Sequence, residues 1–149
     1  MFDPMTIVLA SIASTLFLAG IIWFVQLVHY PLFASVGQIQ FAHYETEHAG
    51  RTTWIVAPAM LIEAATSVLL LWIRPNVISI EIAAAGFLLT GLIWGSTFVM
   101  QVPLHARLSA GFEPSLHKSL VATNWVRTLA WTGRAWLALM MIVKLGAGS

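Results

Sequence analysis

The polar positions of this chain are spaced like fence posts between long apolar runs. No Asp, Glu, Lys or Arg occurs between Asp3 and Glu45. Between Arg51 and Arg74 lie 22 residues interrupted only by Glu63, and between Glu81 and Arg107 lie 25 with no charge. Another 25 separate Lys118 from Lys144, broken by Arg127 and Arg134. A membrane-crossing helix takes about 20 residues at 1.5 Å rise each, so each run is long enough for one crossing. No run alternates with period two, and an open sheet edge cannot sit in hydrocarbon. The pattern predicts an all-α, integral membrane four-helix bundle forming a single domain over residues 1–149. Its helices are expected at about 6–33, 52–73, 79–105 and 122–144. The second and third are joined tightly through Arg74-Pro75-Asn76, whereas the joins 34–51 and 106–121 are longer and read as short interfacial helices.

Composition agrees. Of 149 residues 59% are apolar and 9% charged, against roughly 25% charged in a soluble domain. Disorder and nucleic-acid binding are excluded, and the implied partner is the lipid bilayer. The absence of cysteine removes thiolate metal sites, iron–sulfur clusters and disulfide chemistry. Asp3 and Pro4 stand where a secretory signal carries its basic residues, so no such signal is expected. The positively charged residues divide almost evenly between the two sides; a slight excess on the side of the long joins places that side in the cytoplasm, the membrane being a bacterial plasma membrane.

A shift of 71 residues lays Gly20-Ile21-Ile22-Trp23 on Gly91-Leu92-Ile93-Trp94, Phe41 on Phe112, and Thr52-Thr53-Trp54 on Thr123-Asn124-Trp125. It also lays Glu63 on Arg134. Two parallel helical-hairpin repeats, about 6–73 and 79–144, are the expected organisation. Gly91-x-x-x-Gly95 suggests close helix approach, and Pro31, Pro58 and Pro103 suggest bends.

With four crossings, all five histidines belong to one membrane face. Gln26 and His29 share a helix face, as do Gln101 and His105, and Asn124 and Arg127 repeat the pattern. Glu45 and His48 form an E-x-x-H pair, the spacing by which a helix offers carboxylate and imidazole to one metal. Polar side chains in a bilayer usually face the bundle interior. A ring of Gln26, His29, Gln101, His105, Asn124 and Arg127 at one mouth is therefore the candidate site. Imidazole with some carboxylate suits iron, copper or zinc. Iron or copper is the expected metal, with His29 and His105 as first ligands and His48 and Glu45 supplementary; a b-type haem between His29 and His105 is the other option. Arg127 and Arg51 would hold an anionic group.

Glu63 lies 11 residues beyond Thr52 and Arg134 lies 11 beyond Thr123, so both sit about 16 Å down their helices. Equal depth and opposite charge predict a salt bridge. It either fixes packing or serves as a proton relay, which makes Glu63 and Arg134 the candidate catalytic pair.

Gln26-Leu27-Val28-His29-Tyr30-Pro31, Tyr44-Glu45-Thr46-Glu47-His48-Ala49-Gly50-Arg51 and Asn124-Trp125-Val126-Arg127-Thr128 carry a resemblance. The chain resembles small four-helix bacterial integral membrane proteins of unknown function and, more distantly, anthrone-oxygenase-like membrane proteins. That resemblance implies oxidation of an apolar aromatic substrate and assigns no catalytic residue. The expected function is metal- or haem-dependent redox chemistry on a lipid-soluble substrate. Two other classes stay open: an accessory subunit of a larger membrane complex or homo-oligomer, and a small transporter or proton channel.

Overall fold

The computed structural model describes residues 3–147, which form four long helices and, among the described residues, no strand. Helix α1 runs Pro4–Ser35, α2 Gln38–Leu69 and α3 Ile80–Leu108, and these three are long and apolar enough to cross a membrane. Helix α4 runs Pro114–Ala147. The start of α1 is set locally. Asp3 accepts hydrogen bonds from the Thr6 amide at 2.9 Å and the Thr6 hydroxyl at 3.0 Å, with Pro4 as the first helical residue. The amide bond holds the Asp3 carboxyl below its ordinary range.

Two helix starts differ from the sequence expectation. The join 34–51 is not a separate interfacial helix: α2 begins at Gln38 and continues unbroken through Gly50 and Pro58 to Leu69. Helix α4 likewise begins at Pro114. Polar residues there marked the end of apolar burial, not the end of helical hydrogen bonding. Helix α2 also stops four residues before the expected 73, because Arg74 folds back on the turn. Its Nη1 donates to the Leu71 carbonyl at 2.7 Å and its Nε to that of Ile78 at 3.2 Å, satisfying carbonyls of the turn.

Helices α1 and α3 share an irregularity. Each contains one five-residue π turn, Val25–His29 in α1 and Thr97–Gln101 in α3. Each π turn is followed two residues later by a proline, Pro31 or Pro103. Proline has no amide hydrogen for the carbonyl four residues earlier, and the backbone takes up the lost bond by widening the turn. Pro58, by contrast, lies inside continuous α-helix.

Two apolar clusters fill the bundle. One, around Leu18, Ile22, Tyr30, Phe33, Phe41, Ile93, Leu120 and Trp131, lies at the histidine end. The other, around Val8, Leu70, Ile78, Ile82 and Ala138, lies at the opposite end. Gly91 and Gly95 do not mediate close helix approach; open space surrounds both. The connection between α3 and α4 does need its glycine, since Gly111 adopts φ 147°. Gly111→Ala is expected to lower bundle stability by about 1–3 kcal/mol, measured as an earlier unfolding midpoint in detergent.

Candidate functional site

Helix α1 supplies the centre of the site. Beyond its π turn, Tyr30 turns inward and is almost fully buried. Its hydroxyl lies 2.8 Å from His105 Nε2 on α3. On the other side of that imidazole, Nδ1 makes a short hydrogen bond to Glu45 Oε1 on α2. A carboxylate only accepts, so Nδ1 carries a proton; in the neutral imidazole Nε2 then accepts from the Tyr30 O–H. Three helices thus build a Tyr30–His105–Glu45 chain. The second carboxylate oxygen of Glu45 is buried without a partner.

The remaining imidazoles surround this chain. His29 Nε2 lies 2.9 Å from His48 Nδ1, and the Thr52 hydroxyl is 3.1 Å from the same nitrogen. The His48 and His105 ring centres are 5.7 Å apart. His117 donates from Nε2 to the Tyr30 carbonyl at 2.7 Å, so α4 also anchors the end of α1. Phe33, fully buried, packs edge-on against His29 and His48. His43 is exposed.

A cavity of about 580 Å³ opens onto this cluster. Its apolar walls include Leu18, Ile22, Val56, Met60 and Trp94; its polar end includes Tyr30, His48, Gln101, His105 and Arg127. Thr53 on α2 and Phe98 on α3, both exposed, stand at its rim. A second cavity of about 500 Å³, lined by Phe24, His29, Tyr44, Arg51 and Ile55, lies between α1 and α2. His48 lines both cavities and stands between them.

The sequence-predicted residues divide into groups. Gln26 and Asn124 are buried and tie α1 to α4. The Gln26 carbonyl oxygen accepts from Asn124 Nδ2 at 2.9 Å and from the Thr128 hydroxyl at 3.2 Å, and its amide donates to the Val121 carbonyl at 3.2 Å. Gln101 donates to the Thr123 hydroxyl at 2.9 Å, tying α3 to α4. Arg127 reaches the cavity, beside the Tyr30 hydroxyl and 5.2 Å from the centre of the Trp131 ring. Arg51 does not join it: its side chain is 82% exposed and pairs with Glu47 at 2.9 Å. Glu45 and His48 share a helix face but engage different partners. Glu113 accepts from the Ser115 hydroxyl.

These commitments bear on metal binding. Both ring nitrogens of His105 are occupied, and the nearest nitrogens of His29 and His48 face each other at hydrogen-bond distance. Among the described residues no three His, Asp or Glu converge to hold an ion. In this arrangement the nitrogens named above are engaged with neighbouring side chains and do not converge on one point. Tyr30, the centre of the site, is the residue that sequence reasoning missed; its one signal was its place between His29 and Pro31.

The Glu63–Arg134 pair forms as expected, Nε to Oε1 at 2.8 Å, and neither residue lines the large cavity. Thr15 donates to Glu63 Oε1 at 2.8 Å, and Trp131 Nε1 donates to Oε2 at 3.0 Å. Arg134 also donates to Thr15, to the Thr90 hydroxyl and to the Gly86 carbonyl. A methyl group at Gly86 would come within 3.4 Å of the guanidinium, so a small residue there keeps the approach open. All four helices meet in this one network. No family model matches the chain, and no curated protein or solved structure is similar to it.

Proposed function

We propose that the chain is an integral membrane protein that takes a lipid-soluble molecule into the large cavity and performs proton transfer on it through Tyr30, His105 and Glu45. The observation that carries this reading is the hydrogen-bonded chain of those three side chains, ending on a cavity that is largely apolar away from its His48, Gln101 and Arg127 end. Glu45 holds the imidazole in the tautomer that accepts, and His105 takes the phenolic proton. Tyr30 then works as the acid or base that meets the ligand, with His105 and Glu45 as its proton store.

Placement in a bilayer is supported by inverted polarity. Phe17, Phe24, Trp54, Leu88, Phe98 and Val99 point outward on α1 to α3. Helix α4 has the same character, with Leu129, Trp136 and Val143 outside and Asn124, Arg127, Thr128 and Arg134 inside. Its charges lower its average hydropathy without facing lipid, so it serves as the fourth crossing. Duplication of a helical hairpin is supported by the two π turns, which lie 72 residues apart and so fall within one residue of the repeat's register. It is supported too by two contacts between equivalent residues, Glu63 with Arg134, 71 apart, and Phe41 with Phe112, whose ring centres lie 4.9 Å apart. Residues on a two-fold axis meet their own counterparts in this way.

The test is extraction of the protein from native membranes in lipid nanodiscs, followed by mass spectrometry of the organic extract and metal analysis. An apolar molecule is expected in near-equal amount with the wild type and with Tyr30→Phe, and absent from Ala57→Trp, which fills the cavity. Loss of any difference between wild type and Ala57→Trp refutes the reading. Stoichiometric iron, copper or haem refutes chemistry by side chains alone.

A further inference from the structure

We infer that the large cavity is built for an amphiphile with an anionic head, whose charge neutralises Arg127. This deepens the proposed function and rests on its reading of the cavity as a ligand site. Two arginines project from one face of α4, seven residues apart, and their surroundings differ. Arg134 has its carboxylate, Glu63, and further acceptors on two other helices. Arg127 is only 9% exposed and none of the ion pairs among the described residues includes it. Its neighbours are a neutral phenol and the face of Trp131, and its Nε has no acceptor. Glu45, the acidic group of the neighbouring cluster, is committed to His105. A guanidinium withdrawn from water in this way is costly until an anion joins it.

The cavity supplies the place for that anion. Arg127 lines it among apolar walls, where low polarizability strengthens attraction to a negative head. The planar fork of a guanidinium matches a carboxylate or a phosphate. The far walls, Leu18, Ile22, Val56, Met60 and Trp94, accept an apolar body, and a volume of about 580 Å³ is that of a small-molecule site. The exposed rim at Thr53 and Phe98 lets such a body enter sideways, between α2 and α3.

The experiment is photolabelling of the full chain in phosphatidylcholine nanodiscs, with labelled positions mapped by mass spectrometry. The probes are a diazirine-bearing palmitic acid, its methyl ester and the corresponding alkyl phosphate. Labelling of cavity residues by the acid or the alkyl phosphate is expected to exceed that by the ester by about tenfold, the scale of one charge-assisted hydrogen bond. The stronger of the two anionic probes identifies the head. Arg127→Gln is expected to reduce the anionic probes to the level of the ester and to leave ester labelling unchanged. Arg127→Lys, which keeps the charge, retains the preference, and Arg107→Gln at the exposed end of α3 changes nothing. Equal labelling by acid, phosphate and ester in the wild type overturns the inference while leaving the ligand site standing, as does a preference that survives Arg127→Gln. Displacement of the anionic probes by inorganic phosphate alone overturns the amphiphile. Absence of cavity labelling by every probe removes the ligand site itself.

Discussion

Glu63→Leu is expected to destabilise the bundle by about 3–5 kcal/mol, and Arg134→Leu by a similar amount, whereas the double replacement costs far less than their sum. Each single change strands the other charge in the interior. Glu63 is fully buried and Arg134 5% exposed, so water cannot replace the missing partner. Loss of Glu63 also leaves Trp131 Nε1 and the Thr15 hydroxyl hydrogen without their acceptor; loss of Arg134 takes one donor from the Gly86 carbonyl, which keeps the Thr90 hydroxyl. Removing both leaves neutral groups that are cheaper to bury unpaired. The measurement is a double-mutant cycle on unfolding in detergent. Additive effects would show that the pair is not coupled.

The second large effect belongs to Tyr30. Tyr30→Phe deletes one oxygen and leaves a ring of nearly the same shape between His105 and Phe33, so the cavity keeps its form. Turnover of the molecule recovered from the cavity is expected to fall by about 10²–10⁴-fold, the usual contribution of a positioned acid or base. Retention of the molecule should not change. Glu45→Gln is expected to give a smaller loss, because an amide oxygen still accepts from His105 Nδ1–H while the stabilising charge is gone. Wild-type turnover in Tyr30→Phe would remove the phenol from the chemistry and shift attention to His48, which faces the same cavity.

Much of the scaffold was legible because charge is costly to remove from water, so the few charged residues bound long apolar runs. Spacing alone located the four helices and paired Glu63 with Arg134. It also gathered His29, His48, His105 and His117 at one end. The helix starts at Gln38 and Pro114 were illegible for a related reason: hydropathy reports where burial begins, and both helices emerge polar from the apolar layer. The i,i+3 spacing of Glu45 and His48 fixed a common face but not the partners across it. Those depend on how α2 is rotated against α1 and α3, a variable that no local pattern holds. Arg51 and Arg127 looked equivalent as anion holders until packing turned one to the surface and the other to the cavity. Tyr30 was hidden by its chemistry, since a phenol in an apolar run reads as core.

The π turns set how the histidine end is joined to the rest. Each accommodates one residue more than α-helical winding would, and one residue corresponds to about 100° of helical rotation. Deleting Val28 from α1, or Val99 from α3, would restore regular winding and swing Tyr30 or His105 out of line while the stretch towards the other end stayed as it was. Register in these two helices therefore decides whether phenol and imidazole meet face to face.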